Sequence, residues 1–100
     1  MTSIPIQVKS IITDLHPGSE VILFGSHARG DHQADSDWDF LILLEQPVSR
    51  ADKVDILDVL YELELETDTV ISALIINKLE WHKRSVMPLY QNIQQEGIAA

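Results

Sequence analysis

The sequence predicts an α/β (α+β) protein in which a small mixed β-sheet is covered by helices. Short apolar runs of strand length alternate with longer stretches of helical period, and Pro or Gly residues separate the two kinds. Of the 100 residues, 45% are hydrophobic, which is enough for a buried core. The predicted order is α-β-α-β-α-β-α, and we expect residues 1–100 to form a single domain.

The first predicted element is a helix. Ser3 is a suitable N-cap, Pro5 fits the first turn, and Pro17-Gly18 ends the helix. The apolar residues recur at helical spacing and would face the core: Val8, Ile11, Ile12 and Leu15.

Three segments are predicted as strands, at residues 20–25, 37–44 and 69–76. The first two contain continuous apolar runs that are too short for buried helices. A short helix is expected between them, at residues 26–30. From Leu63 onward the helical period gives way to alternation, so the third strand could start several residues before Thr69.

Helices are expected in the remaining segments. Ser49 precedes a long helix from about Arg50 to Glu64. Asn77, followed three residues later by Glu80, resembles a capped helix start. The last helix runs from Pro88 to a stop at Gly97.

Two neighbouring motifs carry the chemistry: Gly-Ser-His-Ala-Arg-Gly at residues 25–30 and Ser-Asp-Trp-Asp-Phe at residues 36–40. Residues i and i+2 of a strand share a face, so Asp37 and Asp39 would converge while Trp38 packs on the opposite face. Two close carboxylates repel each other unless a cation lies between them, and Mg²⁺ prefers oxygen ligands. A glycine turn that opens a helix can present N–H groups to phosphates. The motifs therefore predict a site for a metal-bound nucleoside triphosphate.

The pattern GSxARG followed by SDxDF resembles the small nucleotidyltransferases of the polymerase-β-like superfamily, in particular the minimal nucleotidyltransferase group. The resemblance covers nearly the whole chain and implies the polymerase-β-like nucleotidyltransferase fold. It also implies that Asp37 and Asp39 are catalytic and bind Mg²⁺. The donor substrate, ATP, would be bound by the glycine turn through Gly25, Ser26, Arg29 and Gly30.

Two of the candidate site residues, Asp68 and Arg29, have more than one possible role. The resembled family takes a third metal-binding carboxylate from its third strand, and Asp68 is the candidate here, with Glu66 as the fallback. Asp68 could instead be a solvated residue at the entry to that strand. Arg29 could reach the triphosphate or the acceptor, or it could only tie the turn to an acidic neighbour.

Composition restricts the class of partner. The net charge of −9 speaks against direct nucleic-acid binding, which depends on Lys and Arg neutralising phosphates. The chain has no cysteine and no apolar run long enough to span a membrane, so we expect a cytoplasmic protein without disulfides.

The resemblance implies a function in a toxin–antitoxin pair. The chain would transfer AMP from ATP to a tyrosine of a helical HEPN-type toxin, and an acidic antitoxin is suited to a basic partner. A larger nucleotidyltransferase has a second domain for its acceptor, so a partner chain or a homo-oligomer would supply that surface. We expect this interface on the long helix and around Trp81 and Tyr90. The alternatives are an inactive module that only binds its partner and a small-molecule transferase of the aminoglycoside type.

Overall fold

Helices and strands alternate through residues 3–100, the part of the chain that the computed structural model describes. The elements are α1 Ile4–Leu15, β1 Glu20–Phe24, α2 Ser26–Arg29, β2 Trp38–Leu44, α3 Arg50–Thr67, β3 Ile71–Asn77, α4 Lys78–His82, α5 Pro88–Glu96 and β4 Ile98–Ala99. The predicted mixed α/β class is confirmed. The order of elements agrees with the prediction from α1 through β3 to the helices that follow it. None of the helices described is long and apolar enough to cross a membrane.

The four strands form one mixed sheet in the order β3-β2-β1-β4. Strand β1 is antiparallel to β2 and to β4, whereas β2 and β3 are parallel. Parallel neighbours need a crossover connection, which α3 supplies. The register pairs Asp39 of β2 with Phe24 of β1 on one side and with Ser72 of β3 on the other.

Each face of the sheet has its own apolar core. Phe40, Ile42 and Leu44 of β2 pack with α1 and α3 in the larger cluster. Leu41 and Leu43 alternate with them and pack with α4 and α5 in the smaller one. The buried members of the larger cluster are Val8, Ile12, Val21, Leu23, Phe40, Ile42, Leu44, Ile56, Leu60, Leu63 and Ile75. Those of the smaller cluster are Leu41, Leu43, Ile76, Trp81 and Ile93.

The predicted caps fix several helix starts. The Ser49 side chain accepts a hydrogen bond from the Asp52 N–H, and the Asp52 carboxylate accepts one from the Ser49 N–H, both at 3.0 Å. The bond from the Ser49 N–H to the Asp52 carboxylate is the first cause that lowers the pKa of Asp52 below its ordinary value, because it stabilises the charged form. At α4, Asn77 Oδ1 accepts from the N–H groups of Leu79 and Glu80, which confirms the predicted capped start.

The boundary between α3 and β3 differs from the prediction. Helix α3 continues to Thr67, beyond the expected end at Glu64, and β3 begins at Ile71 rather than Thr69 or earlier. The alternation from Leu63 belongs to a helix, with Leu63 buried on its inner face and Leu65 68% exposed on its outer face. The expectation of an early strand start is therefore wrong.

The C-terminal segment adds a strand that was not predicted. Helix α5 ends at Gly97 as expected, and the chain then pairs with β1 through Ile98 and Ala99. A Cβ at Gly97 would lie 2.5 Å from the Ile93 carbonyl oxygen and 2.8 Å from Ile22 Cγ2, so the absence of a side chain permits this close return. A strand of two residues is too short to show a recognisable pattern in the sequence.

Exposed apolar residues lie on the long helix and in the C-terminal segment around Trp81 and Tyr90, as expected, although these two aromatic rings are themselves not exposed. Trp81 is buried and Tyr90 is half-buried against it, with ring centroids 4.8 Å apart. Both therefore anchor the C-terminal helices, and the apolar residues exposed around them are Leu79, Val86, Met87 and Leu89. The outer face of α3 exposes Val54, Leu57, Tyr61 and Leu65.

Candidate functional site

A turn at Gly25 joins β1 to α2 and lies against Asp39. Gly25 has φ 77° and ψ −158°, a backbone region that is essentially restricted to glycine. A Cβ at this position would overlap the Asp39 carboxylate oxygen Oδ2. Glycine is thus required here twice, for the backbone conformation and for the approach of the carboxylate. The structure brings the predicted turn and the predicted metal-binding residue together.

Several hydrogen-bond donors in the first turn of α2 have no acceptor within the described residues. The Gly25 carbonyl accepts from the N–H groups of Ala28 and Arg29, and the Ser26 carbonyl accepts from Gly30 N–H. The N–H groups of Ser26 and His27 and the Ser26 hydroxyl have no partner within residues 3–100. Helix-opening N–H groups of this kind suit an anion. Gly30 lies at the other end of α2, as its left-handed C-cap.

Asp37 and Asp39 form the charged side of the site. Asp39 is the second residue of β2 and half-buried, and Asp37 is exposed one residue before the strand. The pKa of Asp39 is raised above its ordinary value, first by burial and second by the negative charge of Asp37. His27 and Arg29 partly offset this rise. The two carboxylates therefore repel each other at a place where a cation would relieve the repulsion.

The Arg29 guanidinium is held by two carboxylates. Its Nε donates to Asp31 Oδ2 at 3.1 Å, and its Nη1 donates to both oxygens of Glu96, at 3.2 and 3.3 Å. These partners raise the pKa of Arg29 further, so the group is a fixed positive charge. Of the interpretations of Arg29, the tie to acidic neighbours is the one formed in this structure. Binding of the triphosphate by Arg29 stays a prediction.

Three rings stack beside the aspartates. The His27 ring lies between Trp38, with ring centroids 3.6 Å apart, and His32, with centroids 4.1 Å apart. His27 Nε2 is 3.0 Å from the Ser36 carbonyl oxygen, which ties α2 to the loop before β2. Trp38 also packs on the larger core cluster, so it faces away from Asp39 as predicted.

Asp68 does not lie on the third strand. It is the C-cap of α3, with φ 53° in the left-handed region, and two residues lie between it and the start of β3 at Ile71. The predicted placement of Asp68 on the third strand is therefore wrong, because α3 extends to Thr67 and β3 begins at Ile71. The fallback, Glu66, lies within α3 and is exposed.

The position on β3 beside Asp39 is occupied by Ser72, which is exposed. Two residues before Ser72, the Val70 carbonyl accepts a hydrogen bond from the Trp38 N–H at 2.9 Å. Within residues 3–100, no group of three or more His, Asp or Glu side chains is arranged to hold a metal ion. A catalytic role for Asp68 stays a prediction without support from its position.

Glu96 is the site residue that the sequence did not suggest. Its Oε1 accepts from the Gly25 N–H at 3.3 Å, and both of its oxygens accept from Arg29. The residue lies 71 positions after Gly25 and carries no motif. Only the folded path of α5 and β4 brings it to the turn.

The sequence profile described as Nucleotidyltransferase domain matches residues 6–97. The chain belongs to this family. The predicted resemblance to nucleotidyltransferases is thereby confirmed, and the family consists of enzymes that transfer nucleotides, as the two motifs predict.

Two relatives come from Methanocaldococcus jannaschii. Putative protein adenylyltransferase MJ0141 is 41% identical over 58 residues, 58% of this chain and 59% of the relative. Putative protein adenylyltransferase MJ0604 is 33% identical over 78 residues, 78% of this chain and 73% of the relative. The match thus spans less than two thirds of the length of the first relative.

Solved structures share the fold at low sequence identity. A toxin–antitoxin structure with AMP-PNP superposes with a TM-score of 0.70 at 17% identity, over 97% of this chain and 72% of the other. A mutant of the toxin–antitoxin MntA-HpeT gives a TM-score of 0.68 at 16% identity, over 99% and 72% of the two chains. These similarities confirm the expected nucleotidyltransferase-type fold.

Proposed function

We propose that this protein binds ATP with Mg²⁺ and transfers AMP to a hydroxyl group of a partner protein. The observation that carries the proposal is the packing of Gly25 against Asp39. It puts the N–H groups of Ser26 and His27, which have no partner in residues 3–100, next to a carboxylate pair, as a metal-bound triphosphate requires.

The donor set fits a magnesium ion. Asp37 and Asp39 offer only oxygen ligands. The pKa of Asp39 is raised first by burial and second by the charge of Asp37, and His27 and Arg29 offset this rise only in part. Asp37 and Asp39 would hold the ion, which when bound neutralises the triphosphate and polarises the α-phosphorus. The Ser26 hydroxyl and the N–H groups of Ser26 and His27 would orient the phosphates.

The acceptor we propose is a tyrosine of a helical HEPN-type toxin. The names of the two relatives support a protein acceptor, and the toxin–antitoxin structures that share the fold support a toxin as partner. The net charge of −9 suits a partner with a basic surface. The exposed residues Leu57 and Tyr61 of α3 offer apolar contact area for such a chain.

A second function, neutralisation of the partner by binding alone, is favoured by one observation. Ser72 lies at the β3 position beside Asp39, where a carboxylate could complete a site for two metal ions. With Asp37 and Asp39 alone, the chain could bind a nucleotide and still transfer it poorly.

Calorimetry with ATP tests the nucleotide site. We expect ATP to bind tightly only with Mg²⁺, and Asp39→Asn to weaken that binding at least about tenfold, about 1.4 kcal/mol. Asp35→Asn is the matched control, since Asp35 is an exposed acid of the same loop. Equal ATP affinity with and without Mg²⁺ would refute the proposal.

Transfer is tested with α-³²P-ATP and any small helical protein that a neighbouring gene encodes. Label on a tyrosine of that protein, absent with Asp39→Asn, is the expected result. Tight association of the two proteins without any label would instead support neutralisation by binding.

A further inference from the structure

Glu96 makes the longest-range contacts of the site. Its side chain is 22% exposed, and its two oxygens share three donor contacts, one from the Gly25 N–H and two from Arg29 Nη1. The contacts join the last residue of α5 to the turn between β1 and α2. A single nitrogen of Arg29, Nη1, contacts both oxygens of Glu96, and the Gly25 N–H contacts one of them, so Glu96 restrains this turn at two points.

The position of Glu96 is itself fixed from both sides. Before it, Ile93 of α5 is buried in the smaller core cluster. After it, Gly97 N–H donates to the Ile93 carbonyl at 2.7 Å, and Ile98 pairs with Leu23 of β1. The carboxylate is therefore presented to Gly25 by packed backbone, not by a mobile tail.

The donors of the turn divide into two sets. The Gly25 N–H and Arg29 Nη1 point to Glu96, whereas the N–H groups of Ser26 and His27 have no partner within the described chain. One N–H group donates well to one acceptor, so a phosphate would take the second set while Glu96 keeps the first.

We propose that Glu96 is a positioning residue that holds the Gly25-Ser26 turn and Arg29 in the geometry that receives the nucleotide phosphates. This inference rests on the proposed function. Pre-organisation of the turn lowers the cost of ordering it when the nucleotide binds. The opposite role is also chemically defined, because a carboxylate on Gly25 N–H and Arg29 could occupy a phosphate position and compete with the nucleotide. The two roles predict effects of opposite sign.

Calorimetry with Mg²⁺-ATP distinguishes the positioning role of Glu96 from the competing role. Glu96→Ala should weaken binding about tenfold, and Glu96→Gln, which keeps an acceptor oxygen for Gly25 N–H, should recover a large part of the loss. Gln95→Ala, an exposed neighbour on α5, is the control and should bind like the wild type. Unchanged binding by Glu96→Ala would overturn the proposal, and tighter binding would identify Glu96 as a competitor of phosphate.

A second measurement needs no nucleotide. Backbone ¹⁵N order parameters of residues 25–30 should fall in Glu96→Ala and stay at wild-type values in Gln95→Ala. Unchanged order in Glu96→Ala overturns the proposal even if the wild type binds no ATP, so failure of the proposed function remains distinguishable. If Glu96→Ala does not fold, Glu96→Gln is measured in both experiments, with a smaller loss of order and affinity expected and no loss contradicting the proposal.

Discussion

The two faces of the sheet serve different purposes although they share the same strands. Phe40 and Ile42 of β2 enter the larger cluster under α1 and α3, where both are fully buried. Asp39 and Leu41 alternate with them on the other face, which has the smaller cluster and ends at the charged site. The period of two in a strand allows this division, since each residue faces away from its neighbours. One face of β2 is buried in the larger core and stabilises the fold. The other face is less apolar because it carries Asp39 of the charged site.

The largest effect we expect concerns the unequal cores. Ile42→Ala should lower the free energy of unfolding by about 3–5 kcal/mol, and Leu43→Ala on the opposite face by about 2–3 kcal/mol. A cavity left at Ile42 would lie in the larger cluster, which α1 and α3 cover, whereas one left at Leu43 would lie in the smaller cluster of five buried residues. Urea denaturation measures both variants. An equal loss, or a larger loss at Leu43, would contradict the comparison.

A smaller effect of opposite sign is expected at the charged end. Asp39→Asn should raise the free energy of unfolding at pH 7 by less than about 1 kcal/mol, while it weakens Mg²⁺-ATP binding. The substitution removes a partly buried charge that Asp37 repels. Thermal denaturation without Mg²⁺ or ATP measures the gain, and Asp35→Asn is the control.

The gain should depend on pH in a defined direction. Because the pKa of Asp39 in the folded protein lies above its ordinary value of 3.8, the folded state binds more protons than the unfolded state between these two values. The wild type therefore loses stability as pH rises through this interval, and Asp39→Asn should not show that loss. A stability difference that stays constant with pH would contradict the assignment.

The smallest effect is expected on the outer face of α3. Leu57 is 50% exposed, whereas the preceding Ile56 is fully buried. Leu57→Ser should change the free energy of unfolding by about 0.5 kcal/mol or less, and Ile56→Ala should cost about 2–5 kcal/mol. Weaker binding of the proposed partner by Leu57→Ser, measured by calorimetry, would locate the interface on this helix. Unchanged partner binding would locate it elsewhere.

The sequence predicted those features that depend on local chemistry. The apolar runs of β1 and β2, the caps at Ser49 and Asn77, and the glycine turn beside Asp39 are each encoded within a few residues. Local patterns fail where two structures share them. The alternation after Leu63 suits a strand, but it equally describes a helix that buries Leu63 and exposes Leu65.

Contacts between distant parts of the chain could not be predicted in this way. The bond between Glu96 and Gly25 depends on the return of the chain after α5, and β4 has only two residues. The wrong placement of Asp68 has a related reason. Whether this residue belongs to α3 or to β3 depends on where α3 ends. The end of α3 is set by contacts of folded segments, including the bond from Ile71 N–H to the Glu64 carboxylate.

The stack of Trp38 on His27 gives the protein a built-in optical reporter. The indole belongs to β2, but the ring it contacts at a centroid distance of 3.6 Å belongs to α2, beside the turn that we assign to the phosphates. The second tryptophan, Trp81, is buried on the far face against Tyr90. In a Trp81→Phe background the emission of Trp38 alone would follow movements of α2, so ligand entry could be watched in real time without a label.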